Sequence, residues 1–172
     1  MQLYTPEHGR LCRYVQSFVW DKEEAKDIIS ETTLHAFEQF AHLKSQEKFV
    51  PFLFGIARNQ FLKYLRKKQL TGSLEEHQMV SRFSEQHADT AITLKFELMR
   101  LLEKLNPLQK ELLVLFEISG LSYQEMAQLL DIKEAKVKDQ LHEARKRLKE
   151  LVQADKNQLA YIHNRKDLAY EK

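Results

Sequence analysis

The stretch LNPLQKELLVLFEISGLSYQEMAQLLDIKEAKVKDQLHEARKRLKEL, residues 105–151, carries three helix signatures in quick succession. Asn106 followed by Pro107, with Gln109 three residues after the asparagine, is an N-cap with a first-turn proline. It opens a helix that Gly120 closes. Ser122 with Glu125 makes a capping box at the start of a second helix, residues 123–130. Asp131 and Ile132 form a tight turn. Beyond it Val137, Leu141, Ala144, Leu148 and Leu151 recur at steps of four and three, one apolar stripe of a third helix. A short capped helix, a brief turn and a longer helix make a helix-turn-helix.

Lys133, Lys136, Lys138, Arg145, Lys146, Arg147 and Lys149 flank that stripe on both sides. In most proteins a run of bases is simply a solvated face. A helix seated in a major groove needs bases on both sides, to reach the phosphates on either wall. Asp139 and Glu143 project away from the stripe, towards where DNA would lie. A carboxylate there is repelled by phosphate, yet it can accept from a cytosine amino group. The candidate DNA contacts on this helix are Lys136, Lys138, Asp139, Gln140, His142, Glu143, Arg145 and Lys146.

GLSYQEMAQLLDI, followed by VKDQLHEARKRLKEL, resembles the fourth conserved region of extracytoplasmic-function (ECF) sigma factors of the sigma-70 family. Lys133 stands where that family usually has a capping Ser or Thr, which weakens the helix start by about 1 kcal/mol. The resemblance implies a second, N-terminal half, and the sequence contains one. DKEEAKDIISETTLHAF, residues 21–37, is similar to the family segment that docks on a coiled coil of the polymerase clamp. Asp27 and Glu31 fall on its acidic positions, while Ser30 and Thr33 replace a usual glutamine and aromatic. FVPFLFGIARNQFLKYLRKK, residues 49–68, resembles the helix that melts and reads the minus-ten promoter element. There Arg58, Asn59, Lys63, Arg66 and Lys67 are the implied contacts, with Lys63 in place of a usual aspartate. The chemistry is coherent, because a melted strand offers phosphates to basic side chains and unstacked bases to amide and aromatic groups.

The residues themselves bound the rest. At 172 residues the chain suits one ordinary domain or two small ones. Four glycines and three prolines leave little turn chemistry for a multi-stranded sheet, so the expected class is all-α. A net charge of +2 excludes a global basic field, so charge must be segregated along the chain. Cys12 is the single cysteine, which rules out an internal disulfide and suits a reducing cytoplasm. No segment reads as a signal peptide or membrane span. No glycine-rich phosphate loop, HExxH or nucleophile elbow is present, so no catalytic site, metal or cofactor is assigned.

In order, helices are expected over about residues 8–20, 21–40 and 50–69. Asp21 with Glu24 caps the second, whose apolar face comprises Ala25, Ile28, Ile29, Thr32, Ala36, Phe37 and Phe40. Residues 41–48 read as a loop, and Pro51 sits in the tolerated first turn of the third helix. Residues 70–89 are polar and aperiodic, which reads as a flexible linker crossed by few apolar contacts. Leu94, Leu98, Leu101 and Leu105 then resume a helical stripe. The expectation is two small helical domains, residues 1–69 and 90–152, joined by that linker and followed by a tail, 153–172. The resemblance implies a sigma factor that directs bacterial RNA polymerase to promoters, with core polymerase, promoter DNA and an anti-sigma factor as partners. The alternative is a dimeric helix-turn-helix regulator that binds duplex DNA without docking on polymerase.

Overall fold

The chain's computed structural model describes residues 3–19, 21–43, 45–70 and 97–170, with side chains as far as Asp155. The proposed linker lies outside the described residues, except for Leu70, which is the last residue of a helix. The N-terminal half comprises α1 (Thr5–Gln16), α2 (Lys22–Gln39) and α3 (Phe49–Leu70). Two single 3₁₀ turns, Phe40–His42 and Gln46–Lys48, join α2 to α3 where the sequence predicts a loop. The C-terminal half begins with helical residues 97–102, here α4. It continues with α5 (Pro107–Leu113), which runs into a π-helical turn (Val114–Ile118), then α6 (Tyr123–Leu130) and α7 (Glu134–Tyr170). Among the described residues there is no strand.

In the N-terminal half, α1 begins earlier than its apolar pattern suggests, because Pro6 fits the first turn. Leu11, Tyr14 and Val15 of α1 pack with Ala25, Ile28 and Ala36 of α2 and with Leu53, Phe54 and Ala57 of α3. Tyr14 meets Phe18 and Phe54 edge to face, at 5.3 and 5.4 Å between centroids. Thr32 is buried at no polar cost, since its hydroxyl donates to the Ile28 carbonyl at 2.7 Å. Phe37 and Phe40 depart from the expected apolar face, being 43% and 42% exposed. The buried stripe of α2 runs through residues 25, 28, 32 and 36, which leaves both rings on its rim. Asp21 caps α2 as expected, its Oδ1 accepting from the amides of Glu23 and Glu24 at 2.8 and 3.0 Å. Glu24 does not reciprocate. Its carboxylate instead ties α2 to α3, accepting from the Tyr64 hydroxyl at 2.8 Å and pairing with Lys68 at 2.9 Å.

The C-terminal half forms around the local signals that its sequence displays. Asn106 Oδ1 accepts from the Gln109 amide at 2.8 Å. Ser122 and Glu125 complete a reciprocal capping box. Asp131 adopts the left-handed conformation, with φ of 52°, that ends α6 and turns the chain into α7. Leu112, Leu115, Leu121, Met126, Val137, Leu141 and Ala144 fill the core between these helices. Leu148 and Leu151 are only half-buried against it. In α4 the buried residues are Met99, Leu101 and Leu102, whereas Leu98 is 40% exposed. Of the expected stripe, Leu101 and Leu105 are buried and Leu98 is not, Met99 and Leu102 complete the buried face, and Leu94 lies outside the described residues. Helix α7 runs on through the proposed tail, its backbone helical to Tyr170.

The two halves do not stand apart. Their buried residues form one continuous cluster, contrary to the expectation that few contacts would cross between them. Helix α6 packs on α3 where Gly55 leaves room, and a Cβ built there would sit 3.7 Å from Leu129 Cδ1. The seam also has a polar part, formed around the end of the π turn. Ser119 N donates to Val114 O, and Leu121 N reaches back to Leu115 O. That second bond reaches one residue further than an ordinary Schellman end allows. Gly120, with φ of 69°, closes the turn. The carbonyls left pointing outward are taken by arginines of α1. Arg10 donates to Ser119 O and Gly120 O at 2.9 and 2.8 Å, and Arg13 to Ile118 O at 2.9 Å. Two cations at the carbonyl end of a helix also oppose its dipole favourably.

Candidate nucleic-acid interface

The helix-turn-helix presents α7 with its stripe inward and its charges outward. Val137, Leu141 and Ala144 are buried, while Lys136, Lys138, Asp139, His142, Glu143, Arg145 and Lys146 are exposed. Gln140 is half-buried beside the stripe. Some of the bases at this end of the molecule are engaged within the chain. Lys138 pairs with Glu134 at 2.9 Å and lies 5.5 Å from the Tyr123 ring centroid, and the pairing raises its pKa above the ordinary lysine value. Arg145 makes two hydrogen bonds to Glu117 Oε1, at 3.0 and 2.7 Å, and its Cζ sits 5.0 Å over the Phe116 ring. Phe116 in turn stacks on Tyr123, at 5.1 Å between centroids. Arg145 thus buttresses α7 against the end of α5, and its availability to a phosphate is reduced. Arg147 pairs with Glu150 at 3.3 Å.

The start of α7 carries the unfavourable chemistry of Lys133. That exposed side chain has no acceptor to offer, although its carbonyl takes the Val137 amide at 3.2 Å. The outward carboxylates Asp139 and Glu143 are solvent-exposed on the same helix as these bases.

On α2, Asp27 and Glu31 are both exposed, one turn apart on the same side. Leu34, at 58% exposure, continues that face a further turn along. On α3, Asn59, Lys63, Arg66 and Lys67 are exposed, as a surface that meets nucleic acid would require. Arg58 behaves differently. It is half-buried and donates to Glu111 Oε1 of α5 at 2.7 Å, a pairing that holds its pKa above the usual arginine value despite burial. The Tyr14 hydroxyl lies in the same electrostatic neighbourhood. Burial, then Glu111, push its pKa well above the normal tyrosine range, and Arg58 partly offsets them. Sequence reasoning missed Arg10, Arg13 and Glu111. Arg10 and Arg13 lie on one side of α1 at i, i+3, a spacing indistinguishable from ordinary solvated charge.

Among the described residues, no group of His, Cys, Asp or Glu side chains could hold a metal ion. No described helix is long and apolar enough to cross a membrane.

The all-α fold thus carries a helix-turn-helix in one half and, in the other, an exposed acidic pair on α2 and exposed bases on α3. Comparison with known proteins specifies the family. Residues 3–71 match the family model "Sigma-70 region 2" and residues 95–148 match "Sigma-70, region 4". The chain is 30% identical over 152 residues to the ECF RNA polymerase sigma factor SigM of Bacillus subtilis, covering 87% of this chain and 93% of that protein. It is 29% identical over 134 residues to the ECF RNA polymerase sigma factor EcfG of Rhodopseudomonas palustris, covering 77% and 74%. Its fold is similar to CnrH, solved with the cytosolic domain of CnrY, at TM-score 0.68, 22% identity and coverage of 90% and 87%. It is also similar to RpoE of Bartonella quintana, solved with the anti-sigma factor NepR, at TM-score 0.65, 22% identity and coverage of 90% and 96%. The chain belongs to the sigma-70 family, as an ECF sigma factor. Because the match spans both halves, the dimeric-regulator alternative is not favoured.

Proposed function

We propose that residues 1–69 dock on core RNA polymerase and engage the minus-ten element, and that residues 90–152 read the minus-thirty-five element. In this reading Asp27 and Glu31 face basic residues of the polymerase. Asn59, Lys63, Arg66 and Lys67, with Arg58 once it is released, contact the melted strand. Lys136, Lys138, Gln140, His142 and Lys146, with Arg145 once it is released from Glu117, contact the duplex, and Asp139 and Glu143 select bases. The carrying observation is the segregation of charge. An exposed acidic pair lies on α2, and exposed, acid-free bases lie on the far half of α3. Two surfaces of opposite sign suit two partners of opposite sign.

The protein works by binding alone, as a specificity subunit in the cytoplasm where polymerase and promoters meet. An anti-sigma factor is a further partner, in line with the two structural neighbours, each solved with a second protein. The test is transcription from a genomic fragment library by core polymerase, with and without this chain. A discrete set of starts that depends on the chain is expected. Identical transcripts in both reactions would refute the reading.

A further inference from the structure

We infer that Glu117 and Glu134 tune duplex binding: each neutralises a base of α7 in the free chain and so holds down its affinity for DNA of any sequence. The inference rests on the proposed function, because it concerns the bases assigned there to the duplex.

Lys138 and Arg145 lie seven residues apart on α7, two turns and about 10 Å along one row of the helix. Two stacked rings from outside that helix sit against them. Phe116, in the π turn, and Tyr123, the first residue of α6, stack at 5.1 Å with 8° between their planes. Arg145 Cζ lies 5.0 Å over the Phe116 ring, and Lys138 Nζ lies 5.5 Å over the Tyr123 ring. Each cation also has its own carboxylate. Glu117 Oε1 accepts from Nε and Nη2 of Arg145 at 3.0 and 2.7 Å, and Glu134 Oε1 meets Lys138 Nζ at 2.9 Å. Lys136 and Lys146 of the same helix have no ion pair among the described residues.

All four charged side chains stay between 44% and 54% exposed. Ion pairs so exposed add little to folding, because water and salt screen them. Their effect falls on what a duplex meets. Sequence-independent affinity comes from the phosphates that bases neutralise, each releasing counterions. A base already neutralised by a carboxylate adds nothing to that release until it leaves its acid. On a duplex that offers phosphates alone, both pairs stay closed. On one whose base edges seat α7 fully, they open and the two bases reach the backbone. A genome offers about 10⁶–10⁹ sites of no particular sequence, over which a free chain with every base available would be spread. Two neutralised bases leave more of the chain for its polymerase.

The experiment uses the full chain. The probe is a fluorescein-labelled 20-base-pair duplex of mixed sequence, read by anisotropy between about 50 and 200 mM salt, beside a thermal melt. Glu117→Gln and Glu134→Gln keep the shape of each side chain and remove its charge. Each is expected to tighten binding at least threefold at the lowest salt. Each should also steepen the slope of log affinity against log salt by about 0.9, the share of one further phosphate. The melt should barely move. Glu117→Gln added to Arg145→Gln, or Glu134→Gln added to Lys138→Gln, should give no gain, because the freed base is gone. Glu150→Gln raises the net charge equally and frees Arg147, which is not a candidate contact. It should stay within twofold of wild type.

An unchanged slope in either single variant would overturn the inference for that acid. So would weaker binding with a lowered melt, the result of a merely structural pair. A gain that survives in the double variants, or an equal gain in Glu150→Gln, would show net charge acting alone and overturn it as well. Failure of wild type to start transcription with core polymerase would instead sink the proposed function, and the salt slopes would still judge the two acids by themselves.

Discussion

Reversing Asp27 and Glu31 together to lysine separates polymerase docking from folding more cleanly than any other change in this chain. Both side chains are exposed on α2, and neither contributes to the buried stripe through residues 25, 28, 32 and 36. Their surroundings on the helix are acidic. Glu23 lies four residues before Asp27, and Glu31 four residues after it. Each such like-charge pair destabilises a helix by roughly 0.2–0.5 kcal/mol. Reversal converts Glu23–Asp27 into an attractive i, i+4 pair in the better orientation and leaves one repulsive pair, now Lys–Lys. Folding stability should therefore change by no more than a few tenths of a kcal/mol. Binding to a basic surface should change far more. Close charge pairs across an interface couple by about 1.5 kcal/mol or more, so losing two costs about 3 kcal/mol, a factor on the order of 100 in affinity. The added repulsion makes that a lower bound. The assay is direct binding of the labelled chain to core polymerase, beside a thermal melt of the free chain. An unchanged melt with polymerase binding within threefold of wild type would refute the docking assignment.

Three other outcomes follow from the same structure. Asp139→Ala and Glu143→Ala should relax specificity at one base pair by about 1–3 kcal/mol if either carboxylate reads a base edge, measured on a panel of single-substitution duplexes. Uniformly tighter binding to the whole panel would show instead that both are liabilities near phosphate. Ser122→Ala removes the acceptor of the Glu125 amide while Glu125 keeps the Ser122 amide at 2.6 Å, so it should cost about 1 kcal/mol. For a chain of this size that is a fall of roughly 2–4 °C in melting temperature. The Asp21 carboxylate is held below its ordinary pKa of 3.8, chiefly by the Glu24 amide. A depressed carboxylate adds stability that is present above the unfolded-state pKa and lost as pH falls through the folded-state one. Acid titration of Asp21→Asn should therefore lack that component of the wild-type loss below about pH 4.

The parts of this fold that were legible in the sequence are those whose hydrogen bonds close within a few residues. Asn106 with Gln109, Ser122 with Glu125, and Asp21 with the amides of Glu23 and Glu24 are all short-range pairs. Each caps the helix that its pattern announces. The stripe through Val137, Leu141 and Ala144 was legible because helical period alone decides which face is buried. Glu24 shows where that logic ends. Its position satisfies a capping pattern, yet Tyr64 and Lys68, forty or more residues away, decide where its carboxylate goes.

The seam is the extreme case. Arg10 and Arg13 meet backbone carbonyls 105 to 110 residues further along the chain. A carbonyl has no residue type, so no side-chain pattern in residues 118–120 could announce an arginine partner. Those carbonyls are presented only because the helix loosens into a π turn at Val114–Ile118, and an apolar run such as VLFEI does not distinguish π from α. The trace left in the side chains is Ser119, fully buried with a hydroxyl that finds no partner among the described residues. An unpartnered buried hydroxyl costs stability, so the backbone there is positioned by contacts other than its own side chain's. The candidate contacts on α7 and the far half of α3 were legible as exposed charge. That Arg58 and Arg145 are occupied within the chain was not, because each partner glutamate, 111 and 117, lies on the helix preceding the helix-turn-helix. Under the proposed function both of those acids would compete with DNA for a base, Glu111 for Arg58 across the seam and Glu117 for Arg145 within the C-terminal half.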